Sequence, residues 1–491
     1  MTSLKVMLFN PPPSHGTYSE ELQVPHVGLA YLNAVLEQRG FKTWVIDTHP
    51  LSNGWQALLS FVLKAVKPNV VGITSTTSTI YQAYRAARVV KQILPHATVV
   101  MGGPHVTFLD EEALVECKEI DIIVRGEGEQ TFIDLLERLE SERSLKGTLG
   151  ITYREENGGI RKEPDRPLIE NLDVLPFPSY RKLPLDLYRS FGIKLPSLPI
   201  VTSRGCPFRC SFCVSWKLNR GKWRTRSPSN VVDEIEHHIT TYKVTDFSFV
   251  DDIFTLSRKR VKEICREIRS RNLEITWGCS ARADSVDVEL LLEMKRAGCH
   301  TIYFGVESKS PKTLKEMNKL LTVEKVAKTF KLCRKLGINT VASVILFWPT
   351  ETRRDVEETI KFVRQLESDI AQFCIATPFP GTKLYEELKR AQLLIEKDWS
   401  KYDIVTPVFE TGEFNRKYML FKWKQAYITF YLRPSYVAKQ IIKRNIPLFK
   451  ALVHMLKNAL VRRLGLSKIQ ETLRSRAIPI FLRWLLQNRA K

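Results

Sequence analysis

Short apolar runs, each closed by glycine, proline or small polar residues and followed by helical periodicity, limit the fold open to this chain more than any other feature. Lys5-Val-Met-Leu-Phe-Asn10 ends in Pro11-Pro12-Pro13, and Gly28 to Gly40 has helical spacing. Lys42-Thr-Trp-Val-Ile-Asp47, Val70-Val-Gly-Ile-Thr-Ser75, Thr98-Val-Val-Met-Gly-Gly103 and Ile120-Asp-Ile-Ile-Val-Arg125 follow in the same rhythm. Continuous apolar runs of this length suit parallel strands buried on both faces. Their alternation with helices predicts a doubly wound, Rossmann-like sheet over residues 1–147, with its ligand at the carboxyl ends of the strands. Thr74, Ser75, Gly102, Gly103 and Gly126 stand at those ends, where small residues either let a ligand approach the backbone or serve as ordinary turn residues.

Residues 148–197 carry six prolines from Pro164 to Pro196 and read as a connector. Alternation then resumes over 198–400, with strands expected at Pro199–Ser203, Asp246–Val250, Glu274–Gly278, Thr301–Gly305, Asn339–Phe347 and Ile370–Ile375. Six strands with helices between them fit a partial (β/α)6 barrel, whose chemistry sits on loops at the strand C-termini. Residues 401–491 form a separate C-terminal region, expected to be helical.

Directly after the first barrel strand comes Gly205-Cys206-Pro-Phe-Arg-Cys210-Ser-Phe-Cys213. Thiolates are the usual ligands of iron–sulfur clusters, and four fill a [4Fe–4S] site. Three in one compact loop leave one iron open to a small chelating molecule. Structural zinc needs four nitrogen or sulfur ligands, and no second pair or nearby histidine follows. The other six of the nine cysteines are scattered (117, 265, 279, 299, 333, 374), unlike a secreted disulfide framework. They read as small buried hydrophobes of a reduced, cytoplasmic protein.

The cysteine segment resembles the radical S-adenosylmethionine (SAM) superfamily. Over about residues 3–440 the chain is similar to its branch with an N-terminal cobalamin-binding domain, which includes class B methylases and anaerobic cyclases. The resemblance implies that Cys206, Cys210 and Cys213 ligate a [4Fe–4S] cluster, whose open iron binds the amino and carboxylate groups of SAM. One electron then breaks a sulfur–carbon bond, giving a 5′-deoxyadenosyl radical. Phe212 and Asp252 (in Phe249-Val-Asp-Asp-Ile-Phe254), Ser280 and Arg282 (in Cys279-Ser-Ala-Arg-Ala-Asp284) and Glu307 (in Gly305-Val-Glu-Ser308) are implied SAM contacts. Phe347-Trp-Pro-Thr-Glu-Thr352 departs from the Gly-Pro-Gly-rich loop of relatives. Gly28-Leu-Ala-Tyr-Leu, Val100-Met-Gly-Gly-Pro-His105 and Val124-Arg-Gly-Glu127-Gly-Glu129 resemble the cobalamin domain, implying cobalamin contacts from Thr74, Ser75, Gly102, Gly103, Gly126 and Glu127. The loop Asn10-Pro-Pro-Pro-Ser-His15-Gly16 lacks the aspartate of the family's Asp-x-His-x-x-Gly. His49 follows the second strand instead and reads as a loop histidine, so cobalt is expected without a protein histidine ligand. A domain of this fold that no longer takes cobalamin is the alternative.

Of the net charge of +22, +17 falls within residues 414–491, where eighteen lysines and arginines face only Glu471. Apolar residues at spacings of three and four, as in Leu448, Leu452, Val453, Leu456 and Leu460, predict amphipathic helices. Such helices suit an anionic membrane surface; a cap on the barrel and nucleic-acid binding are the competing readings, the last ranked lowest. No run is long enough to cross a bilayer and no signal peptide is apparent. The expectation is therefore a cytoplasmic enzyme at the inner face of the membrane, reduced by a flavodoxin- or ferredoxin-type donor. It would abstract hydrogen from an unactivated carbon of a lipid or isoprenoid and methylate it with cobalamin. Ring or carbon–carbon bond formation in a lipid or tetrapyrrole is the alternative. An RNA-modifying enzyme, disfavoured because residues 1–116 hold no cysteine, and a redox sensor stand further off.

Overall fold

A computed structural model describes residues 4–13, 23–51, 54–190, 193–194 and 197–442. They form two compact units: the described residues up to 169 with those from 174 to 194, and 170–173 with 197–442.

The first unit is built on one seven-stranded sheet: β1 Lys5–Asn10, β2 Lys42–Asp47, β3 Val70–Thr74, β4 Thr98–Gly102, β5 Ile122–Val124, β6 Ile151–Arg154 and β7 Ile160–Lys162. Their order is 2-1-3-4-5-6-7, with the first five parallel. Val6 to Phe9 are at most 1% exposed, so the central strand is covered on both faces as its apolar run requires. Helices α1 Val27–Gln38, α2 Trp55–Val66 and α3 Ile80–Ile93 join the first four strands. The chain order reverses between β1 and β3, which sets the ligand crevice at their carboxyl ends. The stretch read as a connector contributes β6 and β7, which extend the sheet antiparallel. β6 is mostly buried and β7 partly exposed, and their short sequences lack the apolar run of a central strand.

The second unit holds a six-stranded, wholly parallel sheet in sequential order: β8 Ser197–Ile200, β9 Asp246–Phe249, β10 Thr276–Ala281, β11 Cys299–Glu307, β12 Asn339–Leu346 and β13 Ile370–Ile375. Intervening helices include α4 Arg258–Ser270, α5 Pro311–Glu316 and α6 Arg353–Leu366, and α7 Lys383–Arg390 follows β13. This is the expected partial barrel. β10 runs later than its apolar run suggested because Gly278-Cys-Ser-Ala281, small residues with little strand signal, continue the ladder. Phe249, Phe254 and Trp277 pack together in the buried core, with ring centroids 4.8–5.5 Å apart. Five of the six scattered cysteines are buried and Cys374 is partly so.

Helices α8 Arg416–Tyr431 and α9 Pro434–Ile442 close the described chain. α8 carries Trp423, Tyr427 and Tyr431 at intervals of four, which puts them on one side of the helix. The Trp423 indole donates to the Phe373 carbonyl at 2.8 Å, while the Phe373 and Ala371 amides donate to the Tyr427 and Tyr431 hydroxyls at 3.1 Å. The open edge of β13 is thus satisfied by side chains. For residues 416–442 the cap reading holds, and the rest of the basic tail, with Leu448 to Leu460, lies outside the described residues.

Candidate functional site

The cysteine loop leaves β8 through Thr202 and Ser203. Both hydroxyls and the Thr202 amide donate to the buried Asp251 carboxylate, and Arg260 of α4 reaches the Thr202 carbonyl at 2.7 Å. Gly205 then turns with φ +92°, where an added Cβ would lie 2.2 Å from the Lys222 carbonyl oxygen. Only glycine fits there. Further on, the Ser211 amide donates to the Met317 carbonyl at 2.9 Å and the Leu384 amide to the Ser211 carbonyl at 3.0 Å. Asn318 Nδ2 donates to the Arg209 carbonyl at 3.0 Å. The loop is therefore held at both ends and in its middle.

Cys206 and Cys210 are buried and Cys213 is partly exposed. Burial raises all three thiols above their ordinary range, Cys213 to about 12, so protons leave them readily only when metal takes their place. Among the described residues no three His, Cys, Asp or Glu side chains converge on a single ion, as a mononuclear site would need. Three thiols on one loop would supply three corners of a cubane cluster, with one corner left for SAM, as the resemblance implies.

Of the expected SAM contacts, Phe212 is in this loop, Arg282, Asp252 and Glu307 lie near it, and several are braced by protein partners. Arg282 lies 4.0 Å over the Phe208 ring, clasps Asp284 at 2.8 and 3.0 Å and donates to the Leu320 carbonyl at 3.2 Å. Asp252 is exposed and accepts from the Ser215 hydroxyl at 2.5 Å, just beyond Cys213. Phe212 meets Trp348 edge-on at 6.5 Å. Ser280 is half-buried near the end of β10. Glu307 is buried in a left-handed conformation (φ +62°) and paired at 2.7 Å with Lys319, itself 8% exposed. Lys319 had no signal in the sequence: it follows a short helix, and only the fold brings its charge beside Cys210 and Glu307. In the departing loop, Glu351 accepts from the Trp348 amide at 3.0 Å and the Ser308 hydroxyl at 2.8 Å, closing Phe347–Thr352 on itself.

In the first unit, Thr74, Ser75, Gly102 and Gly103 meet where β3 and β4 end. The Ser75 amide donates to the Gly102 carbonyl at 2.9 Å, and a Cβ on Gly103 (φ +107°) would fall 2.2 Å from the Ser75 carbonyl oxygen. Gly126 borders open space, with nothing within 4 Å of an added Cβ. These small residues lie together at the carboxyl ends of the parallel strands, where a sheet of this order takes its ligand. Glu127 is engaged elsewhere: its carboxylate accepts from the Ile169 amide at 2.9 Å, which points it to bracing the chain. His105 is buried within 3.2 Å of the Thr77 hydroxyl, and burial lowers its pKa to about 4, leaving the ring neutral. The His49 amide donates to the buried Asp47 carboxylate at 2.9 Å, and His15 lies outside the described residues.

Residues 200–363 match the family model of the radical SAM superfamily, and residues 19–136 match that of the B12 binding domain. An uncharacterized methyltransferase of Pyrococcus horikoshii, PH0819, is 41% identical over 457 residues, covering 91% of this chain and 96% of the relative. The anaerobic magnesium-protoporphyrin IX monomethyl ester cyclase of Rubrivivax gelatinosus is 32% identical, covering 84% and 75%. Among solved structures, the radical SAM methyltransferase TsrM of Kitasatospora setae, with cobalamin and a [4Fe–4S] cluster bound, superposes with a TM-score of 0.70 at 19% identity, covering 88% of this chain and 92% of that one. The cobalamin-dependent radical enzyme OxsB gives 0.71 at 18%, covering 99% and 79%. The chain belongs to the radical SAM superfamily, in the branch that joins a B12-binding domain to the radical SAM domain and whose cofactors are a [4Fe–4S] cluster, SAM and cobalamin.

Proposed function

We propose that this enzyme methylates an unactivated carbon of a hydrophobic small molecule. The observation that carries this reading is the pairing, in one chain, of a three-thiol loop with a B12-type sheet, at 41% identity to a relative named as a methyltransferase. When bound, the reduced cluster cleaves SAM and cobalamin carries the methyl group. Cys206, Cys210 and Cys213 hold the cluster. Phe212, Asp252 and Ser280 bound the SAM pocket, while Glu307 supplies an acceptor for its ribose or amine. Arg282, fixed by Asp284, keeps a positive charge beside Cys206 and Cys210. Thr74, Ser75, Gly102, Gly103 and Gly126 form the cobalamin floor, and Glu127 keeps the neighbouring loop in place. A one-electron carrier of flavodoxin or ferredoxin type supplies the electron.

Anaerobic reconstitution with iron, sulfide and hydroxocobalamin tests the reading. About four iron and one cobalt per chain are expected, with 5′-deoxyadenosine and S-adenosylhomocysteine both forming when substrate is methylated. Iron without cobalt, or 5′-deoxyadenosine without S-adenosylhomocysteine, would favour ring closure, the reading supported by the cyclase relatives. We also place the enzyme at the inner face of the membrane, acting on lipid or isoprenoid substrates. Phe421, Ile428, Leu432, Ile441 and Ile442, each more than half exposed on α8, α9 and the turn between them, support this, as does the basic sequence that follows.

A further inference from the structure

Beside the cysteine loop lies a cavity of about 700 Å³ whose charge the chemistry above leaves unused. Arg209 of the loop, Lys312 and Lys315 of α5 and Lys383 at the start of α7 line it, and all four are exposed. Its one carboxylate, Glu316, is taken by the Thr350 hydroxyl, and Lys383 also pairs with Glu387 at 3.3 Å. Arg209 lies 5.7 Å over the Trp216 ring, which gives the wall an aromatic face. The cavity adjoins a cluster ligand directly. Ser211, in its wall, is bonded to Cys210, and the Asn318 carbonyl, also in the wall, lies 3.8 Å from Cys210 Sγ.

The thiols of Cys206 and Cys210 are buried, so a large electron carrier must deliver its electron from outside the loop. We propose that this cavity is the docking surface of an acidic, low-potential one-electron carrier protein. The positive rim steers an acidic partner and fixes its orientation. An electron leaving the carrier then crosses one peptide link, or the 3.8 Å gap from the Asn318 carbonyl, to Cys210 Sγ. The balance is simple: the carrier is oxidised by one electron, and that electron ends in the broken sulfur–carbon bond of SAM, with no proton moved. The inference rests on the cluster reading given above.

The test is a double variant, Lys312→Glu with Lys315→Glu, in the full-length reconstituted protein. Both residues are exposed and lie outside the cysteine loop. Binding of fluorescently labelled oxidised flavodoxin is measured at several salt concentrations. The variant should bind at least tenfold more weakly, with a shallower dependence on salt. SAM cleavage driven by reduced methyl viologen should be unchanged, and cleavage driven by reduced flavodoxin should fall. Unchanged flavodoxin affinity would overturn the proposal, as would an equal loss with both reductants. If the wild-type protein cleaves no SAM even with methyl viologen, the radical SAM reading fails while the binding data still judge the surface.

Discussion

At Glu307 the backbone as well as the side chain is set for the site. A left-handed glutamate at a strand end costs roughly 1–3 kcal/mol, and the buried ion pair with Lys319 holds it there. The three thiols carry the sharpest prediction at this scale: alanine at Cys206, Cys210 or Cys213 should each abolish the cluster's visible absorbance and 5′-deoxyadenosine formation, checked by iron analysis and chromatography. Glu351 gives a pH test away from the metal ligands. Burial raises its carboxyl from 4.5 to about 7 despite the hydrogen bonds from Ser308 and Trp348. A raised value means that the folded state binds the proton more tightly. The stabilisation is therefore complete below about 4.5 and is lost as pH rises through 7, a difference on the order of 3 kcal/mol. Thermal midpoints measured from pH 5 to 8 should fall more in the wild type than in Glu351→Gln, and parallel curves would refute the assignment.

Among the elements, α8 shows how one pattern serves two readings. Trp423, Tyr427 and Tyr431 recur every four residues, as they would on a helix facing lipid. Their target is the edge of β13, whose unpaired amides lie some fifty residues earlier and leave no trace in the local pattern. Tyr427→Phe and Tyr431→Phe should each leave one edge amide without its partner and cost about 1–3 kcal/mol. Hydrogen exchange should quicken at Phe373 and Ala371 respectively, and not at β10. The strands were legible where long apolar runs met small residues, and the cysteine loop because its spacing is local. Lys319 and the braces on Thr202 were not, since each acts only after distant strands come together. β6 and β7 were missed for another reason: strands of four and three residues that mix Thr152, Arg154, Arg161 and Lys162 with apolar residues have neither a continuous apolar run nor a clear alternation.

For the molecule as a whole, charge is the most uneven property: residues 414–491 carry +17 of the +22. Removing residues 443–491 should release the protein from anionic liposomes while leaving iron content and SAM cleavage intact. Unchanged co-sedimentation would sink the membrane assignment. The anchoring of the cysteine loop also bears on how the enzyme is made. Its three thiols leave the ribosome early, but the groups that fix the loop, Met317, Asn318 and the Leu384 amide, are synthesised more than a hundred residues later. A nascent chain stopped between the two exposes the thiols without the frame that spaces them. A competent site thus exists only once the barrel is nearly complete, so iron–sulfur loading follows synthesis of the barrel, and products truncated before Met317 should emerge free of iron.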